Sequence, residues 1–512
     1  MKRYNMNELK TNQLCKPILL MSFQNNTDTI GLKYIHSLLK KNNIGSQVLF
    51  VPNYTSNDFN SIADYIGSLN PIIIGISVMS CEFYLVKEFT GLIKKKFPSI
   101  IVLWGGIHTA IDTPTCVMCA DYVFRGECEL AFLEFIQAIL NNNPVKNILN
   151  LAYAENGILH CNNLRPYNTQ LDLLPAPEHY IKESYIVDNN TVTKMNDNLF
   201  KKYTRYSGKF YSLTTTRGCP FSCTYCCNSA YSKLYGISKV RTRTVNNVIN
   251  EMRQAVKLFP NISYINIQDD NFLTYDVKWL KRFAIVCRKE IKKQIVCRST
   301  PIHLTKEKIK ILKHAGIAWI FMGLQSGSTR VNKEIYHRYV SNETFIHATK
   351  LVKEYNLAGY YDVILDNPYE TEEDLIQTIN VILQIPKPYM LQILSLCFYQ
   401  GTELYDRAVS DKLKFEDPLS KNFMKYKPIY LNKIIRVCPL LSKTIIMWLV
   451  NNRTTLLAKL ILKIIYLPCI LIIEPWVWLK LILISFNYDV FKTANMILHF
   501  FKTGFKRMIL RK

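Results

Sequence analysis

After a polar opening, short apolar blocks alternate with amphipathic segments. Residues 17–26 (PILLMSFQNN) read as a buried strand, and 30–43 place Ile30, Leu32, Ile35, Leu38 and Leu39 at helical spacing. VLFVP at 48–52, PIIIGISVMS at 71–80 and SIIVLWGG at 99–106 are further continuous apolar runs, with a helix over 82–96. DYVFRGE at 121–127 and the helix ECELAFLEFIQAIL complete this series. Strands that are apolar throughout are buried on both faces, so the pattern predicts a Rossmann-like α/β domain over 1–150, a parallel sheet between two helical layers. Ligands of such sheets bind beyond the carboxyl ends of the strands. Ser77, Gly105, Gly106, His108, Gly126 and Glu127 fall along that rim.

Residues 151–205 read as a linker, with a small hairpin over ILNLAYAENGILHC around the turn dipeptide Asn156-Gly157 and a polar loop before 205. A second series then begins. Strands at 210–218, 264–272, 294–300, 317–328, 360–375 and 389–405 alternate with helices, the first of them N-capped by Thr244. Six strand–helix repeats predict a (β/α)6 partial TIM barrel over 206–410, with its chemistry at the carboxyl ends of the strands. A helical C-terminal region fills 411–512. Within it, IIYLPCILIIEPWVWLKLILISF is strongly apolar but is interrupted by Pro468, Glu474, Pro475 and Lys480, so it falls short of a clean spanning run. Lys459, Lys463, Trp476, Trp478 and Lys480 flank its apolar blocks, the pattern of a segment lying in a membrane interface, with a cap on the barrel as the other use of such a helix.

Charge sharpens that picture. The net charge is +25, and from Lys421 onward sixteen Lys/Arg face only Glu474 and Asp489. A basic tail implies an anionic partner, here a membrane surface. The fifteen cysteines are spread along a long chain whose start lacks an apolar signal segment, so a reducing cytosol is expected, with peripheral contact at the inner membrane face.

Three of those cysteines form a motif. Cys219-Pro220-Phe221-Ser222-Cys223-Thr224-Tyr225-Cys226 sets thiols at spacings of four and three on one loop. Thiolates ligate iron–sulfur clusters, and a four-iron cluster takes four ligands, so three leave one iron open. Zinc sites more often use paired Cys-x-x-Cys, and no second pair with that spacing follows. Cys116 and Cys119 read as ordinary buried or helical thiols, and Cys227 points elsewhere on the loop. The motif resembles the signature of the radical S-adenosylmethionine (SAM) superfamily. The resemblance implies a [4Fe-4S] cluster on Cys219, Cys223 and Cys226, SAM chelating the open iron, and reductive cleavage of SAM to a 5′-deoxyadenosyl radical. It also implies SAM contacts at Asp269 and Asp270 after the second barrel strand, Arg298 after the third, and Gln325 and Ser326 after the fourth. Gln325 stands where many relatives have Glu, Asp366-Asn367-Pro368-Tyr369-Glu370-Thr371 replaces Gly-x-Pro-Gly-Glu-Thr, and Gln400-Gly401-Thr402 replaces Pro-Gly-Thr.

Residues 15–140 resemble the cobalamin-binding domain that precedes many radical SAM cores, through Gly105-Gly106-Ile107-His108 and Arg125-Gly126-Glu127-Cys128-Glu129. Methionine-synthase-like cobalamin domains carry Asp-x-His-x-x-Gly after the first strand; here QNNTDTIG has no His, so cobalamin is expected without a protein His ligand. The whole implies a cobalamin-dependent radical SAM enzyme that modifies an unactivated carbon of a small, preferably lipid-like substrate. Methyl transfer, ring formation and rearrangement all remain open, and the electron comes from an external donor such as flavodoxin or ferredoxin. Two alternatives are a radical SAM enzyme whose first domain is only a scaffold, and a non-catalytic iron–sulfur protein. Nucleic acid is not an expected partner: RNA-modifying relatives carry a second cysteine triad and an RNA-binding domain, and neither is found in this sequence.

Overall fold

The computed structural model describes residues 17–179 and 181–503; the polar opening and the last basic residues lie outside that range. The chain divides into two compact units, one of residues 17–208, 230–237 and 399–421, the other of 209–229, 238–398 and 422–503.

The first unit is built on a nine-stranded sheet. Its strands are β1 (Ile18–Ser22), β2 (Ser46–Phe50), β3 (Ile73–Ser77), β4 (Ile101–Gly105), β5 (Tyr122–Phe124), β6 (Leu151–Glu155), β7 (Ile158–Cys161), β8 (Ser184–Asp188) and β9 (Thr191–Lys194), in the order β7-β6-β5-β4-β3-β1-β2-β8-β9. β1 to β5 run parallel, and the order turns back between β1 and β3. That switch point opens a crevice at the carboxyl ends. The period of two explains the unbroken apolar runs. Leu19, Met21, Ile74, Ile76, Val102 and Trp104 fill the core on one face, while Ile18, Leu20, Ile73 and Leu103 fill the other.

The predicted linker does not exist as one. Residues 151–205 supply a hairpin to each edge of the sheet, β6–β7 through Asn156-Gly157 and β8–β9 through Asn189-Asn190, all four turn residues having positive φ. The alternation of SYIVDNNTVTK around its Asn-Asn turn was a hairpin signal. The segment 399–421, expected to close the barrel and begin the C-terminal region, belongs instead to this first unit. Gly401 shows why. Its φ is +76°, and a Cβ there would meet the Ile111 carbonyl oxygen at 2.6 Å, so the chain is packed backbone to backbone.

The second unit is the expected partial barrel. A two-residue pair, β11 (Thr216–Arg217) with β12 (Arg241–Thr242), follows its first strand β10 (Phe210–Leu213). The other barrel strands are β13 (Tyr264–Ile267), β14 (Gln294–Arg298), β15 (Ile317–Gln325), β16 (Ala358–Leu365) and β17 (Tyr389–Ser395). All six barrel strands are parallel, in sequence order. Ile265, Ile267, Ile320, Met322, Tyr361 and Val363 pack outward under the helices. The inner face near the amino ends is closed by the C-terminal region: Leu481, Ile484, Phe486 and Met496 pack on Tyr264, Val296, Trp319, Ala358 and Met390, and the Tyr264 and Ser485 hydroxyls hydrogen-bond at 2.7 Å.

The segment read as interrupted is one helix, Leu456–Ser485. Its prolines, Pro468 and Pro475, flank a π-helical turn, Cys469–Ile473, at which the regular bonding ladder is already altered. Glu474 is held by Arg436, whose Nη2 donates to Oε1 and Oε2 at 2.7 and 2.6 Å. Glu474→Ala would strand that guanidinium in the core. Because the Arg436 side chain keeps 21% of its surface exposed, the expected loss is about 2 kcal/mol, below the ~3–5 kcal/mol of a fully buried pair. Urea unfolding of wild type and variant measures it, and equal midpoints would show that the pair does not hold the helix.

Candidate functional site

The carboxyl rim of the barrel begins with a clamp. Asp269, just past β13, is 1% exposed and spends both carboxylate oxygens on the exit of β10. It accepts the N–H groups of Thr215 and Thr216 and the Thr215 hydroxyl. Arg243 donates Nη1 to the Thr214 carbonyl at 2.8 Å, and the Tyr275 hydroxyl donates to the Thr215 carbonyl at 2.8 Å. A buried ion pair with Glu251 orients Arg243. Gly218 then turns the chain at φ +95°, where a Cβ would meet the Lys239 carbonyl oxygen at 2.9 Å. The cysteine loop leaves from that fixed point.

Within the loop, Cys223 is buried and Cys219 and Cys226 are half-buried. Each thiol lies within electrostatic reach of the other two. Among the described residues no three Cys, His or acidic side chains converge on one point as a single metal ion requires. A cubane cluster makes no such demand, because each thiolate holds its own iron. Burial pushes the Cys219 thiol up to about 12 and raises Cys223 against the opposing Arg338 guanidinium, whereas Cys226 is raised first by a hydrogen bond with the Cys227 side chain and then by burial. A cationic cluster reverses that preference, since metal binding deprotonates its ligands.

The inner barrel wall carries the second half of the site. The Arg298 Nη1, the Gln325 Oε1 and the Asp362 Oδ1 are buried without a hydrogen-bond partner. Arg298 ends β14 with its guanidinium over the Phe321 ring at 5.4 Å, and Gln325 ends β15 in a left-handed conformation, φ +67°. Asp270 is exposed at the rim, hydrogen-bonds Asn228 and feels the charge of Arg298. Unpartnered buried polar atoms are rare in folded chains. Several of them on one wall of a barrel that also presents a thiol loop are what a polar ligand would satisfy.

The structure separates the predicted SAM residues. Asp270, Arg298 and Gln325 line the rim. Asp269 does not, since its oxygens are consumed by the β10 exit. Ser326 does not either: it is fully buried, donating to Glu370 Oε1 at 2.9 Å and accepting the Ser328 N–H at 3.2 Å. Sequence reading missed Asp362, whose signal was a charged residue in register with the inward positions of β16, beside Tyr360. It also missed Arg338, which donates to the Gly323 carbonyl at 2.7 Å. Asp366 explains one departure from the family pattern. Its φ is +61°, a conformation natural to Gly and tolerated by Asp, and its carboxylate accepts from Ser395, Lys427 and Asn432.

The first unit places Ser77 and Gly105 side by side at the switch-point rim, in register with Ser22. Three other predicted contacts have structural employment. Gly106, φ +116°, is tight against the Val78 backbone oxygen, which a Cβ would meet at 2.7 Å. His108 is fully buried, with Nδ1 3.1 Å from the Ser80 hydroxyl, its ring edge-on to Phe83 and its Nε2 without a hydrogen-bond partner. The space beside Gly126 is taken by the Tyr235 hydroxyl, which also accepts the Glu127 N–H at 2.8 Å. Near the start of the helix after β1, the half-buried Asp28 and the fully buried Lys33 lie within electrostatic reach of each other. Burial raises the Asp28 carboxyl and lowers the Lys33 amine to about 8.

Comparison with known proteins agrees with this division. The model of the Radical SAM superfamily matches residues 213–382, and that of the B12 binding domain matches 17–136. An uncharacterized methyltransferase of Pyrococcus horikoshii is 27% identical over 410 residues, 78% of this chain and 82% of the relative. The anaerobic magnesium-protoporphyrin IX monomethyl ester cyclase of Rubrivivax gelatinosus is 23% identical over 352 residues, 65% of this chain and 58% of the relative. Among solved structures, the radical SAM methyltransferase TsrM of Kitasatospora setae, with tryptophan substrate and a SAM analog bound, superposes with a TM-score of 0.63 at 14% identity, covering 77% of this chain and 76% of TsrM. The cobalamin-dependent SAM radical enzyme OxsB does so with a TM-score of 0.59 at 18% identity, covering 78% of this chain and 56% of OxsB. At those identities the superpositions show a shared fold.

Glu370 makes a pH prediction. Burial lifts its carboxyl from 4.5 to about 8, against a hydrogen bond from Ser326. The unfolded chain ionises this group near its ordinary value, so its contribution to stability is present at acid pH and lost as pH rises from 4.5 toward 8. The slope is at most ~1.4 kcal/mol per pH unit. Thermal unfolding of the metal-free chain between those limits is expected to fall with pH, and Glu370→Gln to flatten the curve. An unchanged curve would assign the slope to other groups.

Proposed function

The chain is a radical SAM enzyme with an N-terminal B12-binding domain, and from that premise we propose that it transfers a methyl group to an unactivated carbon of a small-molecule substrate. The observation that carries this reading is the three-thiol loop beside a barrel wall whose polar atoms, on Arg298, Gln325 and Asp362, lack partners. Cys219, Cys223 and Cys226 would hold a [4Fe-4S] cluster, Asp270, Arg298 and Gln325 would receive SAM, and the rim at Ser77 and Gly105 would receive cobalamin. When bound, the cluster supplies the electron that cleaves SAM and cobalamin carries the methyl group.

The chain's own groups do the rest. Asp270 would accept from the SAM ammonium, and Arg298 would donate to its carboxylate. Asp269 and Arg243 hold the loop in place by fastening Thr214–Thr216. Arg338 favours the thiolate form of Cys223. The apolar closure of the barrel at Trp319, Leu481 and Ile484 excludes water from below and protects a reactive intermediate. Methyl transfer is favoured over ring formation because the relative named a methyltransferase aligns over 82% of its own length, against 58% for the cyclase. The proposed substrate is a lipid-like or other small molecule, and the proposed electron donor an external protein such as flavodoxin or ferredoxin. A scaffold role for the first domain is the second reading, favoured by Tyr235 filling the space at Gly126.

Anaerobic reconstitution with iron, sulfide and hydroxocobalamin, followed by desalting, separates the two. Broad cluster absorption with a retained base-off corrin band is expected, because QNNTDTIG supplies no His beneath cobalt. Cluster absorption without corrin would leave the first domain a scaffold. Cys223→Ala is expected to lose both cluster absorption and SAM cleavage, and unchanged cleavage would sink the cluster assignment. Arg298→Ala is expected to keep the cluster while raising the KM for SAM roughly 10- to 100-fold, the size of one lost bond to a charged group. An unaltered KM would remove Arg298 from the SAM site.

A further inference from the structure

The helix Leu456–Ser485 has a mean hydropathy of 2.4 over its most apolar window, enough by length and composition to cross a membrane, yet only 17% of that window is buried in the protein. Its two ends differ. Toward the C-terminus, Leu481, Ile484 and Ser485 are packed into the barrel floor, and Glu474 is paired with Arg436. A helix crossing a bilayer would have to pull those residues out of the core and carry a carboxylate into hydrocarbon.

The preceding turns are different. Leu457, Leu460, Ile464, Leu467 and Leu471 are 59%, 52%, 62%, 58% and 52% exposed. Their spacings of three and four put them on one face, a stripe of about 20 Å at 1.5 Å per residue. The opposite face, Ala458, Leu462 and Cys469, is buried in the core. Leu456 and Trp476 extend the exposed apolar surface at either end, at 82% and 60%. Soluble surfaces carry exposed apolar residues singly, whereas a contiguous stripe marks an interface.

Charge selects the occupant. Lys459 and Lys463, both exposed and one turn apart, run along one edge of the stripe, and Lys480 lies beyond it. From Lys421 onward the two acids, Glu474 and Asp489, are both engaged, by Arg436 and by Lys492. A second copy of the chain would bring lysine against lysine, whereas anionic lipid headgroups would neutralise them. We propose that this face lies in the plane of an anionic phospholipid bilayer, with the leucine stripe in the acyl boundary, the lysines at the phosphates and Trp476 at the interface. The docking is independent of the methyl-transfer reading.

Vesicle flotation of the full chain, with phosphatidylcholine alone and with added phosphatidylglycerol, tests it. Binding is expected only to the anionic vesicles in appreciable amount, at least ~10-fold over the neutral ones, and to weaken with salt. The triple variant Leu460→Glu/Ile464→Glu/Leu467→Glu, at exposed positions, is expected to lose binding while keeping thermal stability and SAM cleavage in solution. Lys459→Glu/Lys463→Glu is expected to lose ~10-fold or more of the anionic preference. The proposal is overturned by equal or absent binding to both vesicles, or by a triple variant that binds as wild type. A dimer in light scattering that the triple variant dissociates, without vesicle binding, would assign the face to a second copy. Resistance of the bound chain to alkaline carbonate extraction would make the helix a span.

Discussion

The carboxylate of Asp269 is the tie on which the barrel rim depends. A buried acid that accepts two backbone N–H groups and a hydroxyl is costly to leave unmade and gives little freedom to what it holds. It joins the end of β13 to the exit of β10, the point from which the thiol loop departs. Arg243 and Tyr275 grip the carbonyls of Thr214 and Thr215 on the same exit. The neighbouring acid, Asp270, is thereby left to face the thiols. Two identical side chains in sequence thus differ in use, one tied into the scaffold and one left open at the rim. Burial raises Asp269 to about 6, whereas Asp270 stays exposed and senses the Arg298 charge at the rim.

The C-terminal helix solves a second problem of the open barrel. Six strands leave the lower inner face without the partner strands that would complete a closed barrel, and apolar residues such as Trp319 and Met390 need cover. Leu481 and Ile484 provide it, and the Tyr264–Ser485 hydrogen bond fixes the depth. The same helix, N-terminal to Glu474, has no such duty on its outer side, so its leucines remain free for an external apolar phase. Arg436 marks the division between the two halves, since it holds the carboxylate at mid-helix.

The sites where the chain leaves its family pattern are conformational rather than chemical. Asp366 occupies a left-handed position that suits glycine, and its carboxylate repays the strain with three hydrogen bonds to β17 and the C-terminal region. Gln325 holds a similar φ at the end of β15 with its amide oxygen unpartnered. In the first unit the glycines serve chain-to-chain packing: Gly106 against Val78, Gly126 against Tyr235 and Gly401 against Ile111.

What the sequence alone determined is the content of local pattern. Doubly apolar runs dictated a sheet covered on both faces, six strand–helix repeats dictated an open parallel barrel, and Cys219, Cys223 and Cys226 fall on one three-thiol loop. Asn156-Gly157 specified its hairpin because I′ turns require positive φ at both positions. Tertiary structure decided everything that depends on which atoms meet across long separations. It made Asp269 a tie and Asp270 a rim group, buried His108 and Ser326, brought Asp362 and Arg338 to the inner wall, and drew 399–421 into the first unit. The physical reason is that periodicity records which face of an element is apolar, whereas the availability of a polar side chain is set by the partner that has already claimed its hydrogen bonds.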